Sequence, residues 1–195
     1  NRERVRALVG RAISVVGLIG IPATAVLIPL APRLSILFFA QPLTADYAFL
    51  LGLAAVSCYY QMASGSLLNA LGLQRWNVAT AVGAELVQLM LLYRWCARPS
   101  LGIYGYLLAM ALTGGAAFAV NFTVLRQRVG FAARPFRRLG VPLASGAALY
   151  GWTRIFSRLF LRLGAGETAA LLLTLAGVGL LYIAVLRLFG VRIVR

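Results

Sequence analysis

Long apolar runs alternate with short arginine clusters along this chain. Residues 12–32, 47–74, 76–93, 99–125, 139–153 and 168–186 contain one ionised side chain between them, Glu85. A helix needs about 20 apolar residues to cross the hydrocarbon core of a bilayer. Five of the six runs meet or approach that length, and the fifth along the chain reaches it only if its helix continues past Arg154. The pattern predicts helices over about 8–31, 45–71, 76–95, 101–125, 137–161 and 167–188. The expected fold is all-α, a polytopic bundle of six transmembrane helices.

Composition narrows the class. Hydrophobic residues make up 62% of the 195, which is more than a water-soluble domain carries. The formal charge of +15 would indicate nucleic acid in a soluble protein. Here nearly every charge lies at the end of an apolar run, so the expected partner is the lipid bilayer and not nucleic acid. The 19 basic residues are all arginine, which we read as genomic bias, although arginine also suits phosphate better than lysine does. Histidine is absent, and Cys58 and Cys96 stand alone. No metal site, redox pair or cofactor is expected from such spacings. The start, Asn1-Arg2-Glu3-Arg4-Val5-Arg6, leads straight into an apolar run too long for a cleavable signal. That run is the expected mark of a segment of a longer protein with spans before it.

The arginines predict the topology. With the N-terminus inside, thirteen lie on the inner side: Arg2, Arg4, Arg6, Arg11, Arg75, Arg126, Arg128, Arg134, Arg137, Arg138, Arg187, Arg192 and Arg195. The outer side holds Arg33, Arg94, Arg98, Arg154, Arg158 and Arg162. Positive charge accumulates on the cytoplasmic side of membrane proteins, so both ends of this chain are expected there. The arginine-rich loop 126–138 divides a four-helix part, 1–130, from a terminal helix pair, 131–195.

Individual residues add candidate chemistry. Pro22, with Pro29 and Pro32 behind it, should bend or break the first helix, since proline removes a backbone donor and crowds the preceding turn. That makes Pro22 a hinge candidate, or a kink packed without consequence. Glu85 would sit near mid-membrane, where an acid is costly unless neutral, paired or facing water. With Gln88 on the same face it is the coupling candidate, the alternative being a hydrogen-bonded acid packed between helices. Arg154, Arg158 and Arg162 recur every fourth residue on one helix face. Guanidinium forks bind phosphate in bidentate fashion, so this stripe is the substrate-binding candidate, with snorkelling to headgroups as the alternative. Tyr59, Tyr60, Gln61, Asn69 and Asn121 either line a polar groove or bond across helices. No catalytic constellation is present, and no enzyme is expected.

The order of short motifs adds a family. Gly20-Ile21-Pro22-Ala23 leads into Leu34-Ser35-Ile36-Leu37-Phe38-Phe39, then Ser66-Leu67-Leu68-Asn69-Ala70-Leu71-Gly72, Gly83-Ala84, Leu101-Gly102-Ile103-Tyr104-Gly105 and Leu125-Arg126-Gln127-Arg128-Val129-Gly130. Over about residues 10–130 this resembles the C-terminal part of the stage V sporulation protein B and polysaccharide-exporter group, relatives of the lipid II flippases and of multidrug and toxic compound extrusion transporters. The last two spans resemble it by topology alone. The resemblance implies spans nine to fourteen of a 14-span, two-lobed transporter, with the N-terminal lobe as partner. It also implies alternating-access export of an undecaprenyl-linked oligosaccharide or cell-wall precursor across a bacterial inner membrane. The chain departs from the pattern where relatives often carry a basic residue in the third of these spans, which here holds Glu85 and Gln88. Two other readings remain open at this point: a cation-coupled multidrug exporter, and a non-transporting scaffold for cell-wall synthesis.

Overall fold

The computed structural model describes residues 2–40, 45–98, 100–130, 135–162 and 166–188. Within them lie six helices and no strand: α1 (Arg2–Phe39), α2 (Ala45–Ala70), α3 (Gln74–Cys96), α4 (Gly102–Val129), α5 (Pro135–Arg162) and α6 (Glu167–Leu188). Arg134, Arg192 and Arg195 lie outside the described residues. Two helical stretches, Glu3–Phe38 and Gly102–Val129, are long and apolar enough to cross a membrane. In α2 the apolar run is diluted by Ser57, Tyr59, Tyr60 and Gln61, in α3 by Asn77, Glu85 and Gln88, and in α5 by its arginines.

The structure differs from the sequence expectation at both ends of α1, at Pro22 within it, and at the end of α4. The α1 helix is unbroken for 38 residues and contains Pro22, Pro29 and Pro32, so the expected break at Pro22 is absent. It also runs on through Leu34–Phe39, because Arg33 does not end it; its guanidinium reaches back to the Ser157 carbonyl at 3.4 Å. The arginine-rich loop is shorter than 126–138. Arg126 and Arg128 form the last turn of α4, where cations favour the negative end of the helix dipole. Gly130 then closes that helix in the left-handed region at φ 66°, with its N–H bonded to the Arg126 carbonyl. From α1, Arg6 donates through Nε to the Val129 carbonyl at 2.9 Å, satisfying one acceptor left open by the helix end.

Neighbouring helices adjoin in the order α3, α4, α2, α1, α5, α6. The first four helices thus form one group, and the α5–α6 pair joins it along α1. A cluster of Val9 and Ile13 from α1, Tyr60 and Leu68 from α2, and Val124 and Leu125 from α4 fills the centre of that group. Tyr60 packs against Phe118 with ring centroids 4.8 Å apart and the rings tilted by 45°. Elsewhere the helices meet through glycine. A methyl group on Gly105 of α4 would lie 2.9 Å from Cβ of Trp95 and 3.2 Å from its carbonyl carbon. Backbone atoms cannot swing aside, so α3 and α4 approach this closely only because position 105 has no side chain.

Gly105→Ala is expected to destabilise the fold by about 1–3 kcal/mol through overpacking. Gly177→Ala is the control, since a methyl there meets nothing within 4 Å, and it is expected to leave stability unchanged or slightly raised. Thermal unfolding midpoints of the two variants in detergent decide between these outcomes.

Candidate functional site

Most serine and threonine hydroxyls among the described residues bond to carbonyls of their own helices. Thr153 donates to the Leu149 carbonyl at 2.7 Å, Thr174 to Ala170 at 2.6 Å, Ser145 to Pro142 at 2.8 Å and Ser57 to Leu53 at 3.0 Å. Each carbonyl belongs to the preceding turn, so a polar side chain is carried through an apolar interior without an outside partner. Longer amides instead bridge helices. Asn77 of α3 donates to Asn69 of α2 at 3.0 Å. Asn121 of α4 donates to Ser64 of α2 at 3.2 Å, and the Ser64 hydroxyl donates to the Gln61 carbonyl at 2.9 Å. Gln88 of α3 lies 3.0 Å from the Thr113 hydroxyl of α4, which is also 2.8 Å from the Ala109 carbonyl. Of the polar residues singled out from sequence, Asn69 and Asn121 bond across helices and Tyr59 is exposed. The Tyr60 hydroxyl and the Asn121 carbonyl oxygen are buried with no hydrogen-bond partner among the described residues.

Pro22 is buried on α1 and has no N–H to give to Leu18, four residues back. The carbonyl of Leu18 accepts instead from the Tyr182 hydroxyl of α6. Pro22, Leu149 of α5 and Tyr182 line one side of an apolar groove of about 410 Å³ between α1, α5 and α6. The proline therefore does not break the helix; it creates an acceptor that fastens α6 to α1. Sequence reasoning foresaw the freed carbonyl but had no signal for Tyr182, a lone tyrosine in the last apolar run.

A second groove, of about 500 Å³, opens between α1, α2 and α5, walled by Thr24 and Ile28, Gly52 and Val56, and Ala147 and Tyr150. On α5 three of the four lining positions, 143, 147 and 150, are followed at helical spacing by Arg154 and Arg158. These five positions fall within about 80° of arc at 100° per residue. Arg162 lies further round. All three arginines are exposed, and no described residue pairs with them. The opposite flank of the same turns carries a ladder of Trp152, Phe156 and Phe160, with centroids 5.0 and 5.8 Å apart. Tyr47 and Tyr104 meet edge to face at the same end of the bundle. No protein-family model, curated protein or solved structure matches this chain. Its function must be argued from these residues.

Glu85 and Gln88, grouped in the sequence as one polar patch, have different surroundings. Gln88 is half-buried against α4, whereas Glu85 is exposed on the flank of α3. None of the residues described on α3 is buried. Ser64, Asn77 and Thr113 were not foreseen as partners, because spacing identifies a face of a helix and not what lies across from it.

Tyr182→Phe is expected to lower stability by about 1–3 kcal/mol, the cost of leaving a buried acceptor unpaired. Pro22→Ala in the same background returns an N–H to α1 and should recover most of that loss. If Tyr182→Phe is neutral in denaturant or thermal unfolding, the bond does not fasten the two helices.

Proposed function

We propose that this chain is part of a transporter that moves a lipid-linked saccharide across a bacterial inner membrane. On this reading all six helices span the bilayer and both ends face the cytosol. The chain then resembles one lobe of a flippase of the stage V sporulation protein B and polysaccharide-exporter type. The observation that carries the proposal is the continuity of the α1–α2–α5 groove with Arg154 and Arg158. An undecaprenyl-linked substrate is a long hydrocarbon joined to a pyrophosphate. The groove offers apolar walls for the first, and the arginines one and two turns further along α5 offer forked donors for the second.

The end of the bundle that carries these arginines also carries Tyr47, Trp95, Tyr104 and Trp152. Aromatic rings of this kind gather at the boundary between headgroups and hydrocarbon, the depth at which a lipid phosphate resides. Arg33, bonded to the Ser157 carbonyl, ties α1 to the turn between Arg154 and Arg158. Small residues at Gly17, Gly52, Gly114 and Gly146 bring helices close enough to slide as packed units during alternating access. Pro22 is the proposed bending point, and the Tyr182 bond would be remade or released there.

Replacing Arg154 and Arg158 together by alanine should lower transfer of a fluorescent undecaprenyl-pyrophosphoryl saccharide between vesicle leaflets by about ten-fold or more, as loss of charge-assisted bonds predicts. Membrane insertion should be unchanged. Transfer at the unaltered rate in the double variant would remove these arginines, and with them the reading of the groove as a substrate path.

A further inference from the structure

We infer that the flank of α3 carrying Glu85 is a docking surface for a further membrane-spanning helix with a basic side chain at mid-depth. This rests on the membrane reading above. Glu85 stands eleven residues from Gln74 and eleven from Cys96, the two ends of α3. At about 1.5 Å per residue that is some 16 Å from either end, the centre of a bilayer.

Part of α3 is engaged with its neighbours, while Leu86, Met90 and Tyr93 stand exposed on other flanks. Asn77 and Gln88 turn to α2 and α4. Ala79, Gly83 and Val87 line a groove shared with Thr113 and Ala117 of α4, on the flank away from Glu85. Around Glu85 itself stand Val78, Val82 and Leu89, all more than half exposed. Together these positions, 78, 82, 85 and 89, step by four, three and four residues. That spacing is the seam along which one helix seats its knobs in the holes of another. A surface meant only for lipid needs no such seam and has no use for a carboxylate at its midpoint.

The chemistry of Glu85 selects the occupant. A second copy of α3 on the same seam would bring two mid-depth carboxylates together, which like charge disfavours. A bare or hydrated cation needs several oxygen ligands, and besides the Cys58 thiol of α2, which feels its charge, Glu85 stands among hydrocarbon side chains on this flank. A phospholipid headgroup does not reach the bilayer centre. An arginine or lysine on an adjoining helix satisfies the carboxylate in place and leaves the flanking valines and leucine to pack. The same argument applies whether or not the protein transports anything.

The test uses two single-span peptides of leucine and alanine, one with arginine and one with leucine at its centre. Their association with the labelled protein is followed by energy transfer in phosphatidylcholine vesicles. The arginine peptide should bind about ten-fold more tightly, the size expected for an interhelical charge-assisted bond in lipid. Glu85→Leu should abolish the preference, and Glu85→Arg should transfer it to a peptide with glutamate at its centre. Equal binding of the two peptides by the unaltered protein, or a preference that survives Glu85→Leu, overturns the inference. Single cysteines at Gln74 and Ser100, in a background with Cys58 and Cys96 replaced by serine, separate the two levels of the argument. Labelling from the same side of the vesicle defeats the membrane reading and this inference together. Labelling from opposite sides without peptide preference defeats this inference alone.

Discussion

Most of the buried polar side chains among the described residues are satisfied from within the chain, and the bonds that do so fix how the helices meet. A buried backbone group left unpaired costs about 1–3 kcal/mol. The bond from Tyr182 to the Leu18 carbonyl is the plainest case. A proline in α1 opens an acceptor, a tyrosine in α6 closes it, and the last helix acquires a fixed place against the first. The same rule accounts for the hydroxyls that bond one turn back and for the amide bridges among α2, α3 and α4.

These bonds leave the apolar faces free for other uses. Because α1 meets both the four-helix group and the terminal pair, grooves form on either side of it, one against α6 and one against α2. One and two turns beyond the second, along α5, stand guanidinium groups that no described acid neutralises. On α3 the situation is reversed: an acid lies among exposed aliphatic side chains with no described base. The two faces therefore carry opposite charge, cationic at the end of α5 and acidic beside the middle of α3.

Much of this was legible in the sequence, and the reasons are specific. Charge marks the ends of apolar helices, so α2, α3 and α6 were placed to within about two residues. The tail of α1 was missed because Arg33 was taken for a boundary, whereas its long side chain reaches across to α5 while the helix continues. The end of α4 was missed for the converse reason, since arginines in a last turn stabilise a helix as readily as they end it. The exposed stripe at Arg154 and Arg158 was visible from its spacing, but its continuity with the groove required knowing which face of α5 meets α1 and α2. Tyr182, Ser64 and Thr113 were illegible because a sequence shows that an acceptor is in need without showing which distant donor arrives.

The central claim is that the helices cross a bilayer in alternation. Cysteines placed singly at Glu3, Gln74, Ser100, Arg128 and Gly166, with Cys58 and Cys96 replaced, can be probed with a membrane-impermeant maleimide in intact and opened cells. The expected result is protection from outside at Glu3, Gln74 and Arg128, and labelling from outside at Ser100 and Gly166. Labelling of Gln74 and Ser100 from the same side, or of Ser100 and Arg128 from the same side, would contradict it.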